Sequence, residues 1–377
     1  MELVLTDDQE FFRDTTRKFL GSECPLPKVR ELRGNAAGFE PDFWRQGAEL
    51  GWTSLLVPEE LGGGSVSGNG PSDLALVAYA FGAHVAPGPL LPCNVVAAAL
   101  VRSGSEQQQS EVLPALVAGE QIATWASTEL PPHDTLGAIA LVAEADGDGY
   151  VLRGVKSPVE AGAQADLLLV TAVTDAGLTQ FLVPADTDGI TITPLRSVDM
   201  VRRYARIEFA GVKVAASALV GEPGGAADDV EAQLQVAGVV QSAEMVGAAD
   251  AVFDINLDWA FSRYSFGRPL ASYQEIKHRF ADMKMWLETS HALADSAARH
   301  VSRNDPDAAV AVSAAKAYAA NYLAELAEDA VQMHGGIGVT YEHDLHLFLR
   351  RITVDRLTYG TIADHHRRIG ALRATAA

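Results

Sequence analysis

The sequence predicts an α+β chain of three parts: an N-terminal helical domain, a central β-barrel-like domain and a C-terminal four-helix bundle. Three observations carry that reading. Up to Ala118 apolar residues recur every three or four positions, as in Phe11, Phe12 and Phe19, then Phe43, Trp44 and Leu50. Between Gln121 and Val220 the pattern turns to short β-rich runs parted by Gly, Asp and Pro. Beyond Gly224-Gly225 the helical period returns and holds almost to the end. The 377 residues exceed what one hydrophobic core usually organises, so domains at 1–120, 121–227 and 228–377 are expected.

Taken in order, Pro58 and the Gly62, Gly63, Gly64 cluster read as a loop, and Pro87, Pro89 and Pro92 bound the entry to an apolar helix. Leu167 to Val173, Phe181 to Ala185 and Ile207 to Val214 read as strands. In the last part a break is expected at Asn304-Asp305-Pro306, followed by an Ala-rich helix from Asp307 to Gln332 with an apolar stripe suited to helix packing.

A formal charge of −20 and a pI near 4.8 oppose phosphate backbones and anionic bilayers, so nucleic acid is excluded as a partner. A protein this acidic that binds an anionic nucleotide has to gather a few Arg or Lys locally. Only Cys24 and Cys93 occur, too few for a disulfide framework or a cysteine metal site, and a reducing cytoplasm is expected. The first residues lack the basic and apolar regions of a signal peptide, and no run approaches eighteen uninterrupted apolar residues; a cytoplasmic protein without membrane insertion is expected.

Two strings carry chemistry. Arg263-x-x-Phe266-Gly267-x-Pro269, with Gln274 shortly after, ends one long helix; Gln332-x-x-Gly335-Gly336-x-Gly338 ends another. A guanidinium at a helix end can make paired charge-assisted hydrogen bonds with a pyrophosphate, Phe266 offers a ring face, and Gly267 lets backbone approach. Either string alone reads as a helix stop. Together, and with the stretch Phe43 to Gly64 containing Gly51, Pro58 and Glu59, they resemble the acyl-CoA dehydrogenase family along nearly the whole chain. The resemblance implies FAD as cofactor, an acyl-CoA thioester as substrate and assembly as a dimer of dimers. It also implies that Arg263, Phe266, Gln274, Gln332, Gly335 and Gly336 serve the FAD of a neighbouring subunit.

Elsewhere the chain departs from the family pattern. Of the stretch Thr-Glu-Pro-Gly-x-Gly-Ser-Asp, which holds flavin and thioester phosphates, only Thr128 and Glu129 match; Leu130-Pro131-Pro132-His133-Asp134 follows, a poor phosphate cradle. Pro158 and Glu160 replace a Trp and a Thr that pack on the flavin ring, and Glu160 adds a carboxylate beside it. The base that removes the thioester α-proton is a desolvated Glu before Gly-Thr; here that position is Tyr359, before Gly360 and Thr361. The alternative base position falls at Ala237 or Gly238, neither of them a base. Glu244, seven residues or about 10 Å further along that helix, reads as structural, and Asp355, one turn before Tyr359, reads as a solvated carboxylate and a candidate base only by default. Thr128 and Thr361 remain as cofactor-facing residues.

The losses fall on one side of the site. The resemblance therefore implies a subunit of an α2β2 enzyme that completes the FAD site of a second acyl-CoA dehydrogenase-like subunit, which holds the acyl-CoA. Split enzymes of this kind act on bulky acyl-CoA esters, steroid side chains included. The alternatives are a self-sufficient homotetramer with a relocated base, Asp355 or Glu244, and a flavin-free structural paralogue.

Overall fold

The computed structural model describes residues 5–131 and 138–375. The N-terminal part is six helices: α1 (Asp7–Glu23), α2 (Leu26–Leu32), α3 (Pro41–Glu49), α4 (Gly70–His84), α5 (Leu90–Ser103) and α6 (Glu106–Val117). Their starts follow from local chemistry. Thr6 and Gln9 form a capping box on α1, Ser105 and Gln108 one on α6, and prolines occupy the first turns of α2, α3 and α4. Trp52 gathers Phe19, Phe43 and Phe81 around it in edge-on and tilted ring contacts and anchors this core.

The central part is one sheet of β1 (Ala123–Ala126), β2 (Val142–Asp146), β3 (Gly149–Glu160), β4 (Leu167–Thr174), β5 (Gly177–Pro184), β6 (Ile190–Leu195), β7 (Tyr204–Ala215) and β8 (Leu219–Val220). The strand order is β6-β7-β3-β2-β4-β5-β8, with β1 parallel to β4. Alternating apolar residues of β4, β5 and β7, such as Leu168, Val170, Phe181, Ile207 and Phe209, close its core. The long pair β3–β7 shifts register between Lys156 and Val159. After β6 the chain leaves the sheet and enters the helices, burying Asp199, Met200, Val201 and Arg202. Asp199 Oδ1 accepts from the N–H groups of Val201 and Arg202 and shapes that turn. Arg203 then donates to the carbonyls of Leu32, Arg33 and Asn35 and ties it to α2.

The C-terminal part is α7 (Ala227–Ser262), α8 (Gln274–Ser302), α9 (Ala308–His334), α10 (Leu345–Leu357) and α11 (Ile362–Thr375), with the break at Asn304-Asp305-Pro306 where the sequence places it. Helix α7 is long and apolar enough by composition to cross a bilayer, but most of its apolar stretch is buried inside the protein. It is the shared spine of the helical parts. Glycines let it approach α4 at backbone distance: a Cβ on Gly247 would lie 1.9 Å from the Tyr79 carbonyl oxygen, and one on Gly82 would lie 1.9 Å from that of Glu244. The crossing therefore fixes the helical turn that carries Glu244. Gly247→Ala is expected to force the two helices apart and to lower the unfolding free energy by about 1–3 kcal/mol, read as an earlier urea midpoint at unchanged slope.

Candidate active site

A cavity of about 290 Å³ lies between the sheet and the helices, lined by Trp125, Thr128, Pro158, Leu234, Tyr359 and Thr361 among others. Its volume sits at the bottom of the range usual for ligand pockets. Tyr359, in the turn between α10 and α11, lays its ring on Trp125, with centroids 5.9 Å apart and planes 13° from parallel. Burial, with Glu160 adding to it, pushes its phenol well above the usual range, so it stays neutral.

Several polar groups around the cavity are engaged within the protein. Glu129 accepts from Lys156 Nζ at 2.6 Å and from the N–H groups of Ala140 and Leu141 at 2.9 and 3.0 Å. Both the N–H and the hydroxyl of Thr361 donate to Asp364 Oδ2, at 2.9 and 2.7 Å, and start α11. The Thr128 carbonyl accepts from Ser157 N–H at 2.8 Å. Pro132, His133 and Asp134 lie outside the described residues.

Behind Tyr359 the interior is charged. Arg202 donates to both carboxylate oxygens of Glu244 at 2.6 and 2.7 Å, lies 3.2 Å from Glu160 and also pairs with Asp355. Arg351 pairs with Asp199 at 2.6 Å and with Glu244 at 2.5 Å, and donates to the Ala86 carbonyl. Lys316 caps α10 from the side, donating to the carbonyls of Asp355 and Thr358. Asp355 is thus not the solvated surface carboxylate that its sequence context suggested: it is 0% exposed. Glu160 likewise turns inward to Arg202 and does not stand open beside a ring. Glu244 is structural, shared between two arginines. Ala237 and Gly238 sit in the helix core, and a Cβ on Gly238 would lie 2.3 Å from Val312 Cγ1, leaving no room for a base there.

The second group of predicted residues is elsewhere. Arg263 caps the end of α7, Phe266 is 98% exposed, Gln274 opens α8, and Gln332, Gly335 and Gly336 close α9, all of them on the surface. Leu234 lines the cavity, and Arg263 follows 29 residues later on the same helix, about 44 Å away at 1.5 Å per residue. The structure therefore gathers Arg263 with the Gln332 motif and separates both from Thr128, Tyr359 and Thr361. Among the described residues, no group of His, Cys, Asp and Glu is placed to hold a metal ion.

Family models for the acyl-CoA dehydrogenase N-terminal, middle and C-terminal domains match residues 6–120, 126–212 and 227–373, and the chain belongs to the acyl-CoA dehydrogenase family. It is 28% identical to the acyl-CoA dehydrogenase IpdE2 of Mycobacterium tuberculosis over 347 residues, 92% of this chain and 91% of that one. Among solved structures it resembles the ChsE4-ChsE5 complex from Mycobacterium tuberculosis at 28% identity and TM-score 0.88, over 99% of each chain. It also resembles the Tcur3481-Tcur3483 steroid ACAD at 25% identity and TM-score 0.88, over 98% of each.

Members of this family are FAD-dependent flavoproteins. Among the described residues the chain's own cavity does not suit the flavin ring: Tyr359 lies against Trp125 in its wall, and both Thr361 donors are engaged. The edge at Arg263, Gln332, Gly335 and Gly336 is exposed, with an uncovered guanidinium and open backbone at glycine, groups whose chemistry suits a pyrophosphate. Sequence reasoning missed Arg202, Arg351, Asp199 and Lys316. The available signal was on α10, where Arg351 and Asp355 share the face of Phe348 and Ile352.

The network has a pH signature. Burial raises the Asp355 carboxyl to about 8, with Arg202 opposing, whereas Arg351 overcomes burial to hold Asp199 down at about 2. A carboxyl raised on folding contributes stability that is complete below its unfolded value and is lost as pH rises through its folded one. Asp355→Asn removes that contribution. Relative to wild type, the variant should gain unfolding free energy between pH 5 and pH 8.5, measured by urea titration at each pH; a difference that does not change with pH contradicts the assignment.

Proposed function

We propose that this chain is the non-catalytic subunit of an FAD-dependent acyl-CoA dehydrogenase, completing the flavin site of a second acyl-CoA dehydrogenase-like chain that binds the thioester and carries the base. One observation supports this most directly. The residues suited to a dinucleotide's pyrophosphate stand uncovered at one end of α7, while the chain's own cavity, about 44 Å away, is narrowed by Tyr359 on Trp125. No single dinucleotide bridges that distance, so the exposed edge serves a cofactor whose ring lies in another molecule.

The α,β-dehydrogenation needs a carboxylate at the substrate α-C–H, and FAD supplies the hydride acceptor. In this chain the phenol at position 359 stays protonated, and the nearby carboxylates Glu244 and Asp355 are both committed to Arg202. A relocated base has no support here, because Asp355 is buried away from any substrate. Exposed Phe261 and Tyr264 flank Arg263 along the chain and exposed Val339 follows the Gln332 motif, apolar surface suited to a partner. The likeness to a two-named complex and to a steroid ACAD supports a heteromer acting on a bulky acyl-CoA ester.

In the assembled complex Arg263→Ala should weaken FAD binding by about tenfold or more, the worth of paired charge-assisted bonds, measured by flavin titration. Unchanged FAD affinity would favour the flavin-free structural paralogue. Tyr359→Glu in the isolated chain should restore no thioester oxidation, since a base alone does not open the flavin cavity; turnover by that variant would instead reveal a working site of its own.

A further inference from the structure

We propose that Trp259 is a positioning residue that holds the two halves of the exposed FAD-completing edge in register, an inference that rests on the function proposed above. Arg263 stands at the end of α7 and the Gln332 to Gly336 turn at the end of α9, so nothing in the local chain joins them. Helix ends fray, and a clamp for a diphosphate needs its donors fixed to about half an ångström.

Trp259 lies one turn before Arg263 and reaches α9 in two ways. Its Nε1–H donates to the Met333 carbonyl at 3.2 Å, and its ring stacks on His334 with centroids 4.8 Å apart and planes 16° from parallel. His334 is itself anchored, its Nδ1 donating to the Ala330 carbonyl at 2.8 Å, and His343 packs edge-on against it at 4.6 Å. One turn further back on α7, Asn256 donates to Met333 Sδ at 3.3 Å. On the outer side the Arg263 guanidinium lies 5.6 Å from the centre of the same indole. One side chain thus fixes the last turn of α9, which sets Gln332 and the Gly335-Gly336 turn, and restricts the rotamers of the arginine beside them. Neither contact places Trp259 on the cofactor itself.

The test uses the co-expressed heteromeric complex, with FAD as the titrated probe. Trp259→Leu should raise the FAD dissociation constant about tenfold, the usual loss when the support behind a binding group is removed, while the complex still assembles by light scattering. Trp259→Phe keeps an aromatic face for His334 but loses the N–H and part of the stacking area, so it should recover most of the affinity and retain a loss of about fivefold, near the worth of one ordinary hydrogen bond. If Trp259→Leu binds FAD as wild type does while Arg263→Ala does not, Trp259 is merely a packing residue and the inference fails. If Arg263→Ala also binds normally, the proposed function fails with it. Should Trp259→Leu not assemble, the FAD release rate of Trp259→Phe decides: faster release supports the role, and an unchanged rate overturns it.

Discussion

Arg202 is the point on which this chain closes. It arrives on a loop of the central sheet, is buried between the helices, and meets Glu160 of the sheet, Glu244 of α7 and Asp355 of α10 at once. Desolvating a guanidinium costs several kcal/mol and is offset only when geometry and partner number are favourable; the Glu244 carboxylate, the Glu160 and Asp355 carboxyls that burial raises, and the adjoining Arg351–Asp199 pair meet that condition. Such a cluster adds little net stability over an apolar core, but removal of one member strands the others. It also fills the volume behind Tyr359 with paired polar side chains.

The same spine that receives this cluster carries the other end of the argument. Gly82 and Gly247 bring α4 and α7 to backbone contact, which sets the height of Glu244 and with it the place where Arg202 docks. From there α7 runs on, its burial falling away beyond Ala249, to present Arg263 at its far end. One helix thus closes the chain's own cavity at its start and offers a cofactor-binding edge at its finish. On the proposed function, that arrangement keeps the half that serves a neighbour and discards the half that serves itself.

The order of helical, β and helical parts was legible because periods of 3.6 and 2 survive in local sequence, and the break at Pro306 follows from a ring that cannot continue a helix. The placement of Arg263 and Gln332 at helix ends was legible for a similar reason, since helix stops are written in the local sequence. Asp355 was misread as solvated because a carboxylate on a helix is usually a surface group, whereas the arginine that buries it comes from 153 residues earlier. Glu160 was misread for another reason. The register shift between Lys156 and Val159 breaks the simple alternation of β3 and turns Glu160 toward the core, and no local pattern announces such a shift. Arg202 itself sits in a loop, where period carries no information at all.

The central claim is that this chain lends half a flavin site and lacks the other half. Its most direct test is the visible flavin absorbance per chain, taken on protein purified alone and again after co-expression with an intact family member. The account predicts a colourless lone chain and a complex holding half as many flavins as chains. A lone chain that is yellow with one flavin per chain would contradict it, because the cavity beneath Tyr359 would then hold a ring that its present walls exclude.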